Sequence, residues 1–339
     1  MKTWKKIALL IGILLLAFGL TVLQIARHRG ESFIVVPTGI GVSGESASGY
    51  DQKGYTVCVD GEERFSAKEI RSLDLDWLSG SVTVERHDGG ELIVRETASA
   101  GLREDECLRW RLTGGELFIL PCSNKVRDLP DKQLTILVPR SLTLKRLNAD
   151  AASASVLVRG IDADGRLSLD TASGAIRAED CRCGEMSLDS ASGSQSVLRC
   201  ELRGGLEADL ASGSFSADTL SCSALDVDGA SGSQRYSALA CGTLRVSVAS
   251  GSVYGEELRV GEVKVDGGSG SVELGFAASP ERVEVDTASG SVKLAFPRGT
   301  GLDLDYDSAS GRLKGEVVYG DLPVEVDTAS GNLTIEYRG

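Results

Sequence analysis

The sequence is poor in aromatic residues and in histidine, and both shortages exclude something. Only 5 % of its 339 residues are aromatic, so a buried core must be built from Val, Leu, Ala and Ile. A serine nucleophile needs a nearby base, and the only two histidines are His28 and His87. No Gly-Lys-Ser/Thr phosphate loop is present either. Serine hydrolases and P-loop enzymes are therefore disfavoured.

Basic residues are scarce in the second part of the chain. The formal net charge is −13, and residues 147–339 contain 30 acidic against 16 basic side chains. Such a surface repels phosphate backbones, so we expect no nucleic-acid partner.

The chain has one long hydrophobic run, residues 7–26, which contains no charged residue. At 1.5 Å per residue a helix of this length spans roughly 30 Å, the thickness of a bilayer core. Lysines precede the run, which favours a cytoplasmic tail at 1–6 and a single-pass signal anchor at 7–26. A cleaved signal peptide is the alternative. No Cys stands directly after the run, so a lipoprotein anchor is excluded. We expect a protein of the cell membrane whose remaining residues are extracytoplasmic.

A short motif, Asp-x-Ala-Ser-Gly, recurs with a tight period in the second half of the chain. The spacings between its serines are 19 to 21 residues, which is typical of a solenoid. The ten serines are Ser153, Ser173, Ser192, Ser212, Ser231, Ser250, Ser269, Ser289, Ser310 and Ser330.

Apolar residues alternate on both sides of each motif, as Val283 and Val285 before Ser289 and Val292 and Leu294 after it. A period of two predicts a strand with one buried face, and no 3.6-residue helical period appears. Each repeat is too short for a strand and a crossover helix. The sequence therefore predicts an all-β, right-handed parallel β-solenoid of about ten rungs of 19–21 residues, a rung being one turn of the chain.

The motif itself is interpreted as a structural turn column. Gly follows the Ser in nine of ten copies, where the corner requires a positive φ, and a small residue precedes it. The Asp three residues before the Ser is expected to accept an amide hydrogen bond and pin the turn. The residues assigned to this column are Asp170, Ser173, Gly174, Asp286, Ser289, Gly290, Asp327, Ser330 and Gly331.

Other uses of these acids are less well matched. Calcium binding needs six to eight oxygens that converge on one point, so no metal ligand is assigned. A polysaccharide-active enzyme would need a cleft with paired acids. Asp303, Asp305 and Asp307 share one strand face, but no long loop walls a cleft. We therefore expect no catalytic residue, no cofactor and no enzyme activity.

The segment before the repeats divides into two parts. Residues 27–65 are turn-rich and are interpreted as a juxtamembrane linker. Residues 66–146 are predicted to form a β cap and irregular first rungs, with an early motif copy at Ser79-Gly80 and a hairpin at Gly114-Gly115. Solenoids need such caps because an open end exposes unpaired backbone. The repeat region then covers 147–339.

The eight cysteines lie at positions that suggest pairs. Cys107 and Cys122 face each other across the predicted hairpin. Cys181 and Cys200 lie at matching positions of neighbouring rungs, as do Cys222 and Cys241, roughly 5 Å apart in a stack of strands. These six are candidate disulfides in an extracytoplasmic domain, with Cys58 and Cys183 left free. The alternative is a ladder of buried, reduced thiols.

The segments "SLDLDWLSGSVTVERHDGGELIVRE", "LTILVP" and "VDTASGSV" together resemble the bacterial putative-adhesin family of β-strand repeats, a domain of unknown function. The resemblance covers about residues 66–339. It implies a parallel β-solenoid at the bacterial envelope and supplies no catalytic residue.

Three functions are compatible with such a chain. The first is an adhesin-like binding or scaffold protein whose partner is a surface glycan, a peptide or an envelope protein. The second is an envelope-stress sensor or regulator, which needs a membrane partner because a six-residue tail is too short to signal alone. The third is the polysaccharide-active enzyme already disfavoured.

Overall fold

The structure is a computed structural model that describes residues 53–123 and 129–338, and the backbone of two paired strands at 35–36 and 39–40. This part of the chain contains strands and no α-helix. None of its segments forms a helix long and apolar enough to cross a bilayer. The predicted anchor at 7–26 lies outside the described residues.

The strands are numbered in chain order. The first nine are β1 (Val35–Val36), β2 (Gly39–Ile40), β3 (Thr56–Val57), β4 (Glu62–Ser66), β5 (Ser72–His87), β6 (Glu91–Ala98), β7 (Arg109–Thr113), β8 (Glu116–Leu120) and β9 (Lys132–Pro139). The repeats contain β10 (Arg146–Arg159), β11 (Arg166–Ser173), β12 (Ile176–Glu179), β13 (Arg182–Cys183), β14 (Glu185–Ser192), β15 (Gln195–Leu202), β16 (Gly205–Ser212), β17 (Phe215–Ser231), β18 (Gln234–Ser237), β19 (Ala240–Ser250), β20 (Val253–Ser269), β21 (Val272–Phe276), β22 (Arg282–Ser289), β23 (Val292–Pro297), β24 (Leu302–Ser308), β25 (Leu313–Lys314), β26 (Leu322–Ser330) and β27 (Leu333–Arg338).

Successive repeats stack as parallel strands in strict register, which confirms the predicted all-β solenoid. Leu206, Leu225 and Leu244 are aligned in one column on three neighbouring rungs. The solenoid has about nine turns. Val265 and Val285 are fully buried, whereas Lys264 and Glu284, which precede them on the two strands, face outwards. The core is therefore a set of stacked Val, Leu, Ile and Ala columns, as the low aromatic content predicts.

Each rung contributes up to three faces. The first face holds the strand that ends at the motif Ser, and the second holds the strand that begins three residues after it. A short third face follows, where Cys222 is aligned with Cys241. The Ser-Gly corner joins the first two faces. The carboxylates of the motif project from the first face.

The order of the rungs at the N-terminal end differs from the order along the chain. Strand β5 aligns Ser79 with Ser153 of β10, which confirms the early motif copy. On its other side β5 pairs with β8 and β9, which follow it in sequence. Strands β6 and β4 then continue antiparallel from β9, and β7 and β3 from β8. The predicted hairpin register is confirmed, since Thr113 faces Glu116 and Arg109 faces Leu120.

The C-terminal end shows the same inversion of order. Strand β22 pairs with β26, not with β24, and β24 pairs with β26 from the other side. The last rung of the chain is thus inserted between the rungs of Ser289 and Ser310. Side chains record the same order, because Lys293 Nζ lies 3.1 Å from Glu336 Oε1 on β27. The motif copies at Ser289, Ser310 and Ser330 are so alike that the sequence does not reveal this order of rungs.

Candidate functional site

The corner glycines have the role that the sequence predicts. Gly174, Gly290 and Gly331 have φ angles of 156°, 136° and 155°, in the region that favours glycine. A Cβ atom on Gly290 would lie 1.9 Å from the carbonyl oxygen of Gly270 on the neighbouring rung. The stacking distance therefore leaves no space for a side chain at this corner.

The motif serines are exposed and link neighbouring rungs. The Ser192 hydroxyl donates to the Ala172 carbonyl at 3.5 Å, and the Ser310 hydroxyl donates to the Ala329 carbonyl at 3.4 Å. Ser173, Ser289 and Ser330 occupy the same exposed column. These contacts are those of a corner, and the structure brings no base to the three predicted serines.

The amide hydrogen bond expected of the motif aspartates stays a prediction. The carboxyl of Asp170 contacts the carboxyls of Asp150 and Asp189 on the rungs either side. Asp170 lies within strand β11, where the backbone pairs with the strands on both sides. The outward Asp side chains are therefore stacked from rung to rung.

We call this stack the carboxyl row. It runs the length of the first face with one residue from each rung. In spatial order its members are Asp76, Asp150, Asp170, Asp189, Asp209, Asp228, Ser247, Asp266, Asp286, Asp327 and Asp307. Neighbouring members are roughly 4.8 Å apart, the spacing of strands in a sheet.

Proximity and burial alter the acidity of the row. Burial and hydrogen bonds to Asp189 raise the pKa of Asp170 to about 9. Burial, together with the charge of Asp189, raises the pKa of Asp209 to about 7. Burial and the charge of Asp266 raise the pKa of Asp286 to about 6. Neighbouring carboxyls therefore share protons, because two adjacent half-buried carboxylates repel each other.

The row is divided into two acidic stretches. Ser247 interrupts it, and Arg245 and Lys264 lie beside this break in the adjacent outward column. Glu284, next to the second stretch, accepts a hydrogen bond from Lys264 at 2.6 Å. In the last three rungs of the first stretch, which ends at Asp228, the adjacent outward column holds Ser187, Glu207 and Asp226. Of these, Glu207 pairs with Arg166, and Asp226 is aligned with Arg245 on the next rung. The first face thus carries a regularly spaced row of acidic side chains.

A row with one carboxyl group per rung is a poor arrangement for a metal site, because few oxygens can converge on one ion. Within the described residues, no three His, Cys, Asp or Glu side chains are grouped so that they could hold one. Asp303, Asp305 and Asp307 lie on the outward side of β24, at the end of the stack, and all three are exposed. They do not face other acids across a cleft.

The structure holds all eight cysteines as buried free thiols, so none of the three candidate disulfides is present in it. Cys222 and Cys241 are nevertheless direct register partners. The Cys181 thiol donates to the Glu179 carbonyl at 3.2 Å, and the Cys200 thiol donates to the Leu198 carbonyl at 3.5 Å. The Cys107 thiol donates to the Arg103 carbonyl at 3.2 Å. The formation of these disulfides stays a prediction.

Sequence reasoning missed a buried ion pair in the cap. Lys132 and Glu96 are 2.6 Å apart, with side chains only 3 % and 1 % exposed. The Lys132 ammonium also donates to the Glu106 carbonyl at 2.7 Å and lies 4.9 Å from the centre of the Trp77 ring. A lysine at the start of a strand is normally solvated, so the sequence carried no signal for this pair.

Comparisons with solved structures give likenesses of low identity. A putative adhesin from Parabacteroides distasonis is 13 % identical over 84 % of this chain and 97 % of its own, with a TM-score of 0.39. A putative lipid binding protein from the same species is 14 % identical over 86 % and 98 %, with a TM-score of 0.37. A putative cell adhesion protein from Clostridium sporogenes is 11 % identical over 84 % and 98 %, with a TM-score of 0.21.

The comparison with curated proteins gave no match. The comparison with family models matched residues 203–336, a stretch that contains the regular motif copies from Ser212 to Ser330. The matching family is described as Toastrack DUF4097, a domain of unknown function, and the resemblance to a β-strand-repeat family is confirmed for this stretch.

Proposed function

We propose that the protein is a membrane-anchored, extracytoplasmic, right-handed β-solenoid that acts as an adhesin-like binding or scaffold protein of the cell surface. The observation that carries this proposal is the first face, where aligned rungs carry the carboxyl row. An acidic row with regular spacing suits an extended partner with repeated cationic groups. Such a partner is a basic segment of an envelope protein, a basic peptide or an amino-sugar polymer.

The binding proposal can be tested on the full chain in a neutral detergent. The probes are a hexalysine peptide and oligomers of deacetylated glucosamine. Because Asp226 and Asp228 lie in the first acidic stretch, the double variant Asp226→Asn/Asp228→Asn should weaken binding several-fold, most strongly at low salt. The matched control Glu256→Gln/Glu257→Gln removes two exposed charges from the end of the second face. Equal losses in both variants, or no binding by the parent chain, would contradict the proposal.

The membrane anchor is part of the proposal and needs its own experiment. The full chain should resist extraction from membranes by alkaline carbonate, and a chain without residues 7–26 should not. In intact cells an added protease should reach the solenoid. A full chain recovered in the soluble cytoplasmic fraction would reject both the anchor and the envelope location.

A second candidate, the envelope-stress sensor, is favoured by one observation. The carboxyl row contains groups such as Asp286 and Asp209 whose pKa is raised to about 6 and about 7, so the charge of the first face changes near neutral pH. A sensor of this kind would need a membrane partner to read that change. Loss of surface attachment in a strain without the protein would favour the adhesin, and loss of an envelope-stress response would favour the sensor.

We also propose that the protein is not an enzyme. The support is geometric, because the acids of the first face stand one per rung in a single row. Hydrolysis of a glycoside requires two carboxyls on opposite sides of the bond. Turnover of an envelope polysaccharide that is lost in Asp303→Asn or Asp305→Asn would overturn this proposal.

A further inference from the structure

The first rungs carry a basic cleft on a molecule that is otherwise acidic. Its volume is about 460 Å³, and its walls are the tip of the β7–β8 hairpin and one corner of three neighbouring rungs. Four cations line it, Arg71, Lys145, Arg146 and Arg166, against a single acid, Glu116.

The register explains why these cations converge. Ser72 is aligned with Glu116 on one side and with Arg146 on the other, and Arg166 belongs to the rung after Arg146. The residue before each of these occupies the corner. The Arg71 amide donates to the Gly115 carbonyl at 2.7 Å. The Lys145 amide donates to the Arg71 carbonyl at 2.6 Å. Two long basic side chains thus project from consecutive levels of one corner, roughly 4.8 Å apart.

In most later rungs the same corner carries no cation and usually no side chain. The equivalent positions from the third rung onwards include Gly165, Gly184, Gly204, Gly242 and Gly261. Glycine at this corner allows close stacking, as Gly165 shows, where an added Cβ would lie 2.5 Å from the Lys145 carbonyl oxygen. Arg71 and Lys145 therefore depart from the glycine that is usual at this corner, and both lie in the cleft.

Internal ion pairs account for only half of the cations. Arg146 pairs with Glu116, which ties the hairpin to the rung, and Arg166 Nη2 lies 3.1 Å from Glu207. Within the described residues, Arg71 and Lys145 form no ion pair, and both are exposed. A purely structural role explains Arg146 and Arg166 and leaves Arg71 and Lys145 without a use.

We propose that this cleft binds a phosphoryl group, carried either by a lipid headgroup or by a soluble phosphate ester. A guanidinium fork and an ammonium from adjacent levels can contact different oxygens of one tetrahedral anion, and Arg matches phosphate with two parallel hydrogen bonds. The acidic surface elsewhere repels such ligands, so binding is directed to this one cleft. The site lies apart from the carboxyl row and does not rest on the proposed function.

The test uses the full chain in a neutral detergent at constant ionic strength, with binding measured by calorimetry. The probes are inorganic phosphate, glycerol phosphate oligomers and dihexanoyl phosphatidylglycerol below its micellar concentration, with dihexanoyl phosphatidylcholine and chloride as references. We expect saturable binding of at least one phosphate probe. Preference for the short-chain phosphatidylglycerol would identify a lipid headgroup as the source, and preference for the oligomer would identify a soluble ester.

The double variant Arg71→Gln/Lys145→Gln should weaken binding at least tenfold without a change in melting temperature, because neither side chain is paired. The matched control Arg312→Gln/Lys314→Gln removes the same two charges from exposed positions at the opposite end. The control should stay within twofold of the parent chain. No saturable binding, equal binding of chloride, or equal losses in the two variants would each overturn the proposal.

Discussion

The two ends of the solenoid are closed in different ways. At the N-terminal end, β8 and β9 are covered by antiparallel strands, and the rings of Phe65 and Trp110 pack edge to face at 4.9 Å between the two covering pairs. At the C-terminal end, β26 is the one strand that pairs with β24 within the described part of the chain, and on the other side of β24 a single bridge joins Leu302 to Tyr319. Leu313, Val318 and Tyr319 are exposed there, Tyr319 to 81 %. One end is a built cap, and the other is an open edge.

The covered end and the open end share one arrangement of strands. At each end the rung that comes first or last in sequence, that of β5 or β26, is paired on both sides. The position at the end of the stack is taken by strands from further inside the sequence. A terminal strand paired on one side only frays readily, whereas a strand inside the stack is held by two sets of backbone hydrogen bonds. The open end is then left to β24, whose outward Asp303 and Asp305 discourage pairing with another edge.

The largest expected effect on stability comes from two deletion variants, each of which removes a different rung at the open end. Deletion of 322–339 removes the inserted rung, and with it two rung interfaces. Deletion of 301–321 removes the outer rung and one interface. Ser289 and Ser330 are 41 residues apart, so loss of these 21 residues restores a spacing of 20. We expect the terminal deletion to lower the melting temperature by roughly 10 °C or more and the internal deletion by a few degrees.

Thermal unfolding and limited proteolysis would distinguish the two deletions. A terminally truncated chain could pair β24 with β22, but Gly315 would then occupy the core column of Leu294 in place of Ile335. Proteolysis of 298–321 should therefore be faster in that chain. If the terminal deletion were the milder one, the rungs would stack in chain order and the inserted rung would be wrong.

The second prediction concerns the cap. Lys132→Met leaves Glu96 charged and buried without its partner, which should cost about 3–5 kcal/mol in the free energy of unfolding. The double variant Lys132→Met/Glu96→Leu should recover part of this loss. Lys314→Met, an exposed lysine at the open end, should change stability by less than about 0.5 kcal/mol. Denaturant unfolding would measure the stability of all three variants. Equal effects at Lys132 and Lys314 would mean that the buried ion pair does not stabilise the cap.

The contrast between the ends also marks how far the sequence alone can predict this molecule. The period, the buried faces and the glycine corners follow from local chemistry, since Val285 and Gly290 have the same neighbours in any stack of identical motifs. The order of the last rungs does not follow from local chemistry, because the strands that end at Ser289, Ser310 and Ser330 could pair with one another in any order. The basic cleft and the Lys132 pair were missed because each joins residues from segments far apart in sequence. Only the fold brings them together.

Cysteine oxidation should distinguish two pairs of thiols within the solenoid. Cys222 and Cys241 are register partners and each is 8 % exposed, whereas Cys181 and Cys200 are fully buried. Under a mild thiol oxidant we expect the Cys222–Cys241 bond to form first and to raise the melting temperature modestly. Non-reducing peptide mapping would identify the bond, and Cys241→Ser should abolish it. Earlier closure of Cys181 with Cys200 would show that access does not control oxidation here.

The smallest expected effect compares a carboxyl in the middle of the row with one at the open end. The pKa of Asp209 is raised to about 7 in the folded state, mainly by burial and then by Asp189, so folding favours its protonated form. Its contribution to stability is present below about pH 4 and is lost as the pH rises through 7. At pH 8, Asp209→Asn should therefore raise the melting temperature by roughly 1–3 °C, and at pH 4 it should not. Asp307 has a row neighbour on one side only and is exposed, so Asp307→Asn should leave the melting temperature unchanged at both pH values. Melting curves of the two variants at pH 4 and pH 8 would decide the matter. A gain at pH 4, or equal gains from both variants at pH 8, would show that the stacked carboxyls do not share protons.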